Sequence, residues 1–67
     1  MELSARNQLR GTITEIKTDG LMAEVTVEVG GQEIVSVITR GSVERLGLRQ
    51  GDAVTVVIKS TEVMLAK

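Results

Sequence analysis

Between Leu21 and Val29 the side chains alternate with a period of two. Leu21, Ala23, Val25, Val27 and Val29 are apolar on one side, and Met22, Glu24, Thr26 and Glu28 stand on the other. Only a β-strand places residues two apart on the same face, so this segment is expected to be a half-buried strand. Gly30-Gly31 follows at once, a dipeptide that supplies positive φ for a tight hairpin turn. The run after it, Gln32 to Thr39, is apolar on both faces, with Ile34 and Ile38 on one and Val35 and Val37 on the other. A strand apolar on both faces is covered on both sides. In a chain this small the second cover is expected to be another subunit.

The remaining segments read the same way. Leu9 to Lys17 is a strand in which Leu9, Gly11 and Ile13 are in register while Ile16 is out of phase, so a bulge near Thr14-Glu15 is expected to repair the pattern. The turn Thr18-Asp19-Gly20 closes it. Ala53 to Lys59 is a fourth strand, with Val54, Val56 and Ile58 against Thr55 and Val57, and Val63 to Ala66 is a short fifth. Between Thr39 and Ala53 the chemistry changes. Ser42 is placed to N-cap a short helix over Val43 to Leu46, Gly47 to end it in the left-handed conformation, and Leu48 to fold back as the apolar contact beyond it. The expected fold is all-β, a five-stranded OB-like barrel with one short helix between strands 3 and 4.

Sixty-seven residues allow one domain, spanning positions 1–67. Domains of this size have marginal cores and lean on disulfides, metals or association. The chain has no Cys and no His, so the first two supports are gone in their usual forms and association remains. Phe, Tyr and Trp are absent as well, and the apolar content is small aliphatic. Eight Lys and Arg against nine Asp and Glu give a formal net charge of −1. A general polyanion binder needs a basic stripe, and a single-strand nucleic-acid barrel needs aromatic stacking platforms. Neither is present, so nucleic acid is not an expected partner. The polar, mixed segment Met1 to Arg10 does not read as a signal peptide, and no apolar run approaches the ~20 residues of a membrane span. The chain therefore reads as soluble and cytoplasmic, with no membrane partner.

Catalysis has little to build on, since without His or Cys a nucleophile–base pair would need Ser or Thr with Lys or a carboxylate. No Asp-x-Asp-x-Asp-Gly calcium loop occurs, so a cation site is not expected either. Small anions remain. Three polar points carry donors for one: Ser4-Ala5-Arg6-Asn7 before the first strand, Thr39 with Ser42 at the third strand's end, and Lys59-Ser60 at the end of the fourth. Taken singly, each also has a plain structural use, as a solvated strand-end charge, a cap or a β residue.

The chain closely resembles the molbindins, the stand-alone, TOBE-like Mop domains. The resemblance runs over essentially its whole length. It is carried most specifically by Ser4-Ala5-Arg6-Asn7-Gln8-Leu9-Arg10-Gly11, and continues in Ala23-Glu24-Val25, Ile38-Thr39 with Ser42, Leu46-Gly47-Leu48 and Val57-Ile58-Lys59-Ser60. It implies an OB-like barrel that assembles as a homo-hexamer, a trimer of dimers. It also implies a non-enzymatic protein that binds molybdate or tungstate between subunits for storage or homeostasis. One class of site in that family uses a Ser-x-Arg segment and a Lys-Ser pair, with a Thr-x-x-Ser segment from a neighbouring chain. Carried onto this sequence, these are Ser4, Arg6, Lys59 and Ser60, with Thr39 and Ser42 from the partner and backbone N–H groups around Ala5 and Ser60. A second class of site lies near the threefold axis. The alternative reading is an OB-type structural or regulatory interaction module that binds no oxyanion.

Overall fold

The computed structural model describes residues 4–67, and the first three positions of the expected single domain lie outside it. Four strands are formed, β1 (Asn7–Asp19), β2 (Met22–Val29), β3 (Gln32–Thr39) and β4 (Ala53–Ile58), with one helix, α1 (Arg40–Leu46), between β3 and β4. They make one antiparallel sheet in the order β3-β2-β1-β4.

The alternation in β2 sets the inner face. Ala23, Val25 and Val27 are buried, while Met22 and Glu24 on the other face are exposed. Gly30 and Gly31 both take positive φ and join β2 to β3 in the expected two-residue turn. The other hairpin turns one residue later than the sequence suggests. Asp19 still pairs with Met22, so the turn is Gly20-Leu21, and Leu21 is exposed at its tip and not on the strand's inner face. Gly20, with φ of 59°, makes that later closure possible.

β1 is the long central strand. Its first half pairs with β4, from Asn7 with Ile58 to Thr12 with Ala53, and its second half with β2. The register shifts between Ile13 and Glu15, the expected bulge, and the Thr14 hydroxyl donates to the Thr26 carbonyl at 3.3 Å. Ile13 on the near side of the bulge is fully buried, and Ile16 beyond it packs against the same core. Gly11 lies where β1 presses on β2. A Cβ there would stand 2.5 Å from the Glu28 carbonyl oxygen and 2.7 Å from methyl groups of both Val27 and Val29.

The helix begins earlier than the sequence reading has it. Thr39, not Ser42, is the N-cap. Its Oγ1 accepts from the Ser42 backbone N–H at 3.0 Å, which places Ser42 in the first turn. The cap sits three residues before the donor it satisfies, and the threonine that ends β3 already holds the extended conformation a cap needs. The other end is as expected. Gly47 is left-handed, its N–H donates to the Glu44 carbonyl at 3.1 Å, and the Leu48 N–H reaches the Val43 carbonyl at 3.0 Å. That pair of bonds is a Schellman motif, and it folds Leu48 back against the core beside Val43.

The expected fifth strand, Val63 to Ala66, is not formed. After a single 3₁₀ turn at Ser60–Glu62 the chain runs on without ladder partners, and Met64 and Leu65 are more than nine-tenths exposed. A strand needs a neighbour to take its N–H and C=O groups, and within one chain none is in reach of this segment. The sheet is consequently a curled trough. Its unpaired edges β3 and β4 face each other across an open apolar groove of about 500 Å³, floored by Ile13, Val25 and Val27 and flanked by Ile38, Leu48 and Val56. On the outer face of β3, Val35 and Val37 are 55% and 63% exposed. The chain's accessible surface is 5487 Å². A self-sufficient monomer of this mass exposes about 4,100 Å², and the surplus is larger than the roughly 800 Å² that one partner buries in a standard interface.

Candidate functional site

The polar residues singled out in the sequence fall into two groups at opposite ends of β1. At the first end, the β1–β4 ladder stops with Asn7 paired to Ile58. The Asn7 amide donates to the Ile58 carbonyl at 3.2 Å and the Gln8 amide to the Ala5 carbonyl at 3.2 Å. These bonds fix the two chain segments that leave the ladder side by side. Ser4-Ala5-Arg6 precedes β1, and Lys59-Ser60 follows β4 and opens the 3₁₀ turn, whose Glu62 N–H donates to the Lys59 carbonyl at 2.9 Å. Ala5 is buried, which anchors the segment, whereas Ser4, Arg6, Lys59 and Ser60 are exposed. The ladder thus holds a guanidinium and an ammonium at the same strand ends. Among the described residues neither makes an ion pair.

At the second end, β1 finishes at Asp19, opposite Met22, and Met22 in turn pairs with Thr39. The Arg40 N–H donates to the Leu21 carbonyl at 2.8 Å, which ties the start of α1 to the β1–β2 turn. Here the hydroxyls are wired together. Thr39 Oγ1 donates to Ser42 Oγ at 2.8 Å while accepting from the Ser42 N–H. One turn on, Arg45 Nη2 donates to the same Ser42 Oγ at 3.3 Å. Ser42 is half-buried and Thr39 exposed. Sequence reading missed Arg45. Its only signal was the spacing Thr39, Ser42, Arg45, three apart each time, which puts all three on one helix face.

Within one chain the ladder brings Ser4, Ala5 and Arg6 to Lys59 and Ser60, and Thr39 to Ser42. It does not bring the two groups together, and no hydrogen bond links them. Chemically, each group offers donors: guanidinium, ammonium, hydroxyl and amide. None of Ser4, Arg6, Thr39, Ser42, Lys59 and Ser60 is a carboxylate. Among the described residues no cluster of three or more His, Cys, Asp or Glu is placed to hold a metal cation. No helix is long and apolar enough to cross a membrane among the same residues.

Known proteins are similar to this chain over most of its length. The TOBE domain family model matches residues 3–65. Molybdenum-pterin-binding protein 1 of Clostridium pasteurianum is 48% identical over 66 residues, which cover 97% of this chain and 97% of that protein. A molybdate-binding protein from Sporomusa ovata superposes with a TM-score of 0.96 at 40% identity, covering 100% of both chains. The cytoplasmic molybdate-binding protein ModG, in a structure with molybdate bound, superposes with a TM-score of 0.86 at 46% identity, covering 90% of this chain and 43% of that one.

Proposed function

This chain belongs to the TOBE domain family, within the Mop-type branch, and on that footing we propose that it binds molybdate or tungstate as an intact oxyanion, without catalysis, for storage or homeostasis in the cytoplasm. The observation that carries this reading is that the Asn7–Ile58 pair ending the β1–β4 ladder leaves Arg6 and Lys59 on adjacent strand ends, next to Ser4 and Ser60. Two cations on adjacent strand ends, neither with a carboxylate partner among the described residues, match the charge of a dianion.

The binding chemistry follows from the ligand. Molybdate is tetrahedral, with four acceptor oxygens and no proton to donate. Arg6 offers a planar fork and Lys59 a compact charge, and charge-assisted bonds of this kind are about twice as strong as neutral ones. Hydroxyls of Ser4 and Ser60 and backbone N–H groups around Ala5 and Ser60 complete one side. Hydrogen phosphate carries a P–OH that a donors-only site would leave unpaired, a penalty that disfavours it. Sulfate has the same charge and is smaller, so its exclusion falls to the size of the cavity.

In this reading Thr39 and Ser42 reach the site from a neighbouring chain, because each chain's own pair sits at the far end of β1. The assembly is a homo-hexamer, a trimer of dimers. The five-stranded OB-like barrel is completed in it, with Val63 to Ala66 as the fifth strand lying in the apolar groove of a second copy between β3 and β4. The exposed Met64 and Leu65, the unpaired edges and the surplus surface support this arrangement.

Native mass spectrometry with molybdate, against excess sulfate, tests the whole reading. A hexamer that gains discrete molybdate masses despite the sulfate is the expected result. An oligomer that takes up no oxyanion would leave an OB-type interaction module in its place, and a folded monomer at micromolar concentration would remove the interface site altogether.

A further inference from the structure

The second polar end contains a cation that the site as carried over from the family does not use. We propose that Arg45 is a further ligand-contacting residue of the oxyanion site, brought to it together with Thr39 and Ser42. The proposal rests on the reading above and sharpens it.

Three observations carry it. Thr39, Ser42 and Arg45 are joined in a continuous chain of hydrogen bonds, with Ser42 Oγ receiving both the Thr39 hydroxyl at 2.8 Å and the Arg45 Nη2 at 3.3 Å. A hydroxyl oxygen has two lone pairs, so both acceptor positions of Ser42 are filled and its own O–H is left to point elsewhere. The Thr39 oxygen accepts from the Ser42 backbone N–H. What this cluster presents outward is therefore donor character, the complement of a ligand that only accepts.

The second observation is the contrast with Arg40, the other arginine of α1. Arg40 Nε lies 3.4 Å from the Glu44 carboxylate, so its charge is already answered. Arg45 has no carboxylate within ion-pair distance among the described residues. The third is the guanidinium itself. Of its five N–H groups only one, on Nη2, is directed at Ser42, which leaves the rest of the fork for an oxyanion edge. Ser42 thereby acts as the hinge that turns Arg45 toward whatever Thr39 and Ser42 face. If those hydroxyls complete the neighbour's site, a third positive charge arrives with them, beside Arg6 and Lys59.

Calorimetric titration of molybdate into the assembled wild type, Arg45→Gln and Arg6→Ala at low and high salt tests this. Glutamine keeps an N–H for Ser42 and loses the charge. We expect Arg45→Gln to weaken binding about tenfold at low salt, about 1.4 kcal/mol, to flatten the salt dependence, and to leave the melting temperature of the unliganded protein unchanged. A purely structural role for Arg45 would move the melting temperature and not the salt dependence. Wild-type affinity and salt dependence in Arg45→Gln, with Arg6→Ala impaired, would overturn the proposal and leave the site standing. Unchanged binding in both variants would instead bring down the site assignment itself.

Discussion

The two polar ends of β1 are built on different plans. At the Thr39 end both hydroxyl oxygens already accept hydrogen bonds. Thr39 caps the helix, Ser42 receives two donors, and Arg45 is drawn into the chain before any ligand arrives. At the Arg6 end the backbone is held, by the Asn7 and Gln8 amides and by buried Ala5, but the charged side chains themselves are free in solvent. One half is pre-organised hydroxyl chemistry and the other is charge waiting for a counter-charge. The difference separates two costs of binding an ion. Side chains fixed by folding need little ordering when the ligand comes, whereas long solvated cations lose rotamer freedom and gain more in Coulomb energy.

That contrast can be broken or sharpened by substitution. The largest effect is expected at the charged end. Arg6→Ala should lower molybdate affinity by roughly 2–5 kcal/mol, as for removing one side of a desolvated charge-assisted contact. It should hardly change the thermal unfolding of the unliganded protein, since Arg6 makes no ion pair among the described residues. A fall in stability as large as the fall in affinity would mean that the charged end is structural after all. At the wired end the same comparison runs the other way. Thr39→Val removes the cap oxygen and should cost about 1 kcal/mol in denaturant unfolding, together with a loss of ligand affinity. Unaltered unfolding would show that the Thr39–Ser42 contact does not order the helix. The smallest effect is expected at Glu44→Ala. The Arg40–Glu44 pair is exposed and spaced i, i+4, so stability should change by no more than about 0.5 kcal/mol. Molybdate affinity should stay at the wild-type level, and a clear change would place α1's other face at the site too.

How much of this was legible beforehand follows from what each segment depends on. The alternation of β2, the Gly30-Gly31 turn, the bulge near Thr14 and the Gly47–Leu48 helix end depend only on neighbours in sequence, and the structure bears them out. The chain reads as all-β with one short helix for the same reason. Ser42 was misplaced because Ser and Thr are both good caps and only the backbone conformation at Thr39 chooses between them. Leu21 was assigned to the strand because its apolar side chain continued the alternation, but the turn claimed it. The fifth strand at Val63 to Ala66 has the right residues and, within one chain, no partner. Strand formation is a property of pairs, which no local pattern contains. The site is legible as donor types at strand ends. Arg45 was not, because an arginine in the last turn of a helix reads as ordinary surface charge until a contact to Ser42 is seen.

β1 carries a single extra residue, Thr14, against β2. Up to Ile13 it is the odd-numbered positions of β1 that turn inward, and from Ile16 it is the even-numbered ones. The strand is therefore two reading frames spliced at one point. Deleting Thr14 would leave Ile13 and Ile16 two positions apart and both still facing inward, so the two frames would merge without turning any side chain over, and the bulge would be lost. What the extra residue supplies is therefore the bend and added twist of β1 where it passes from β4 to β2, and substitutions near Thr14 that keep the count leave that bend in place.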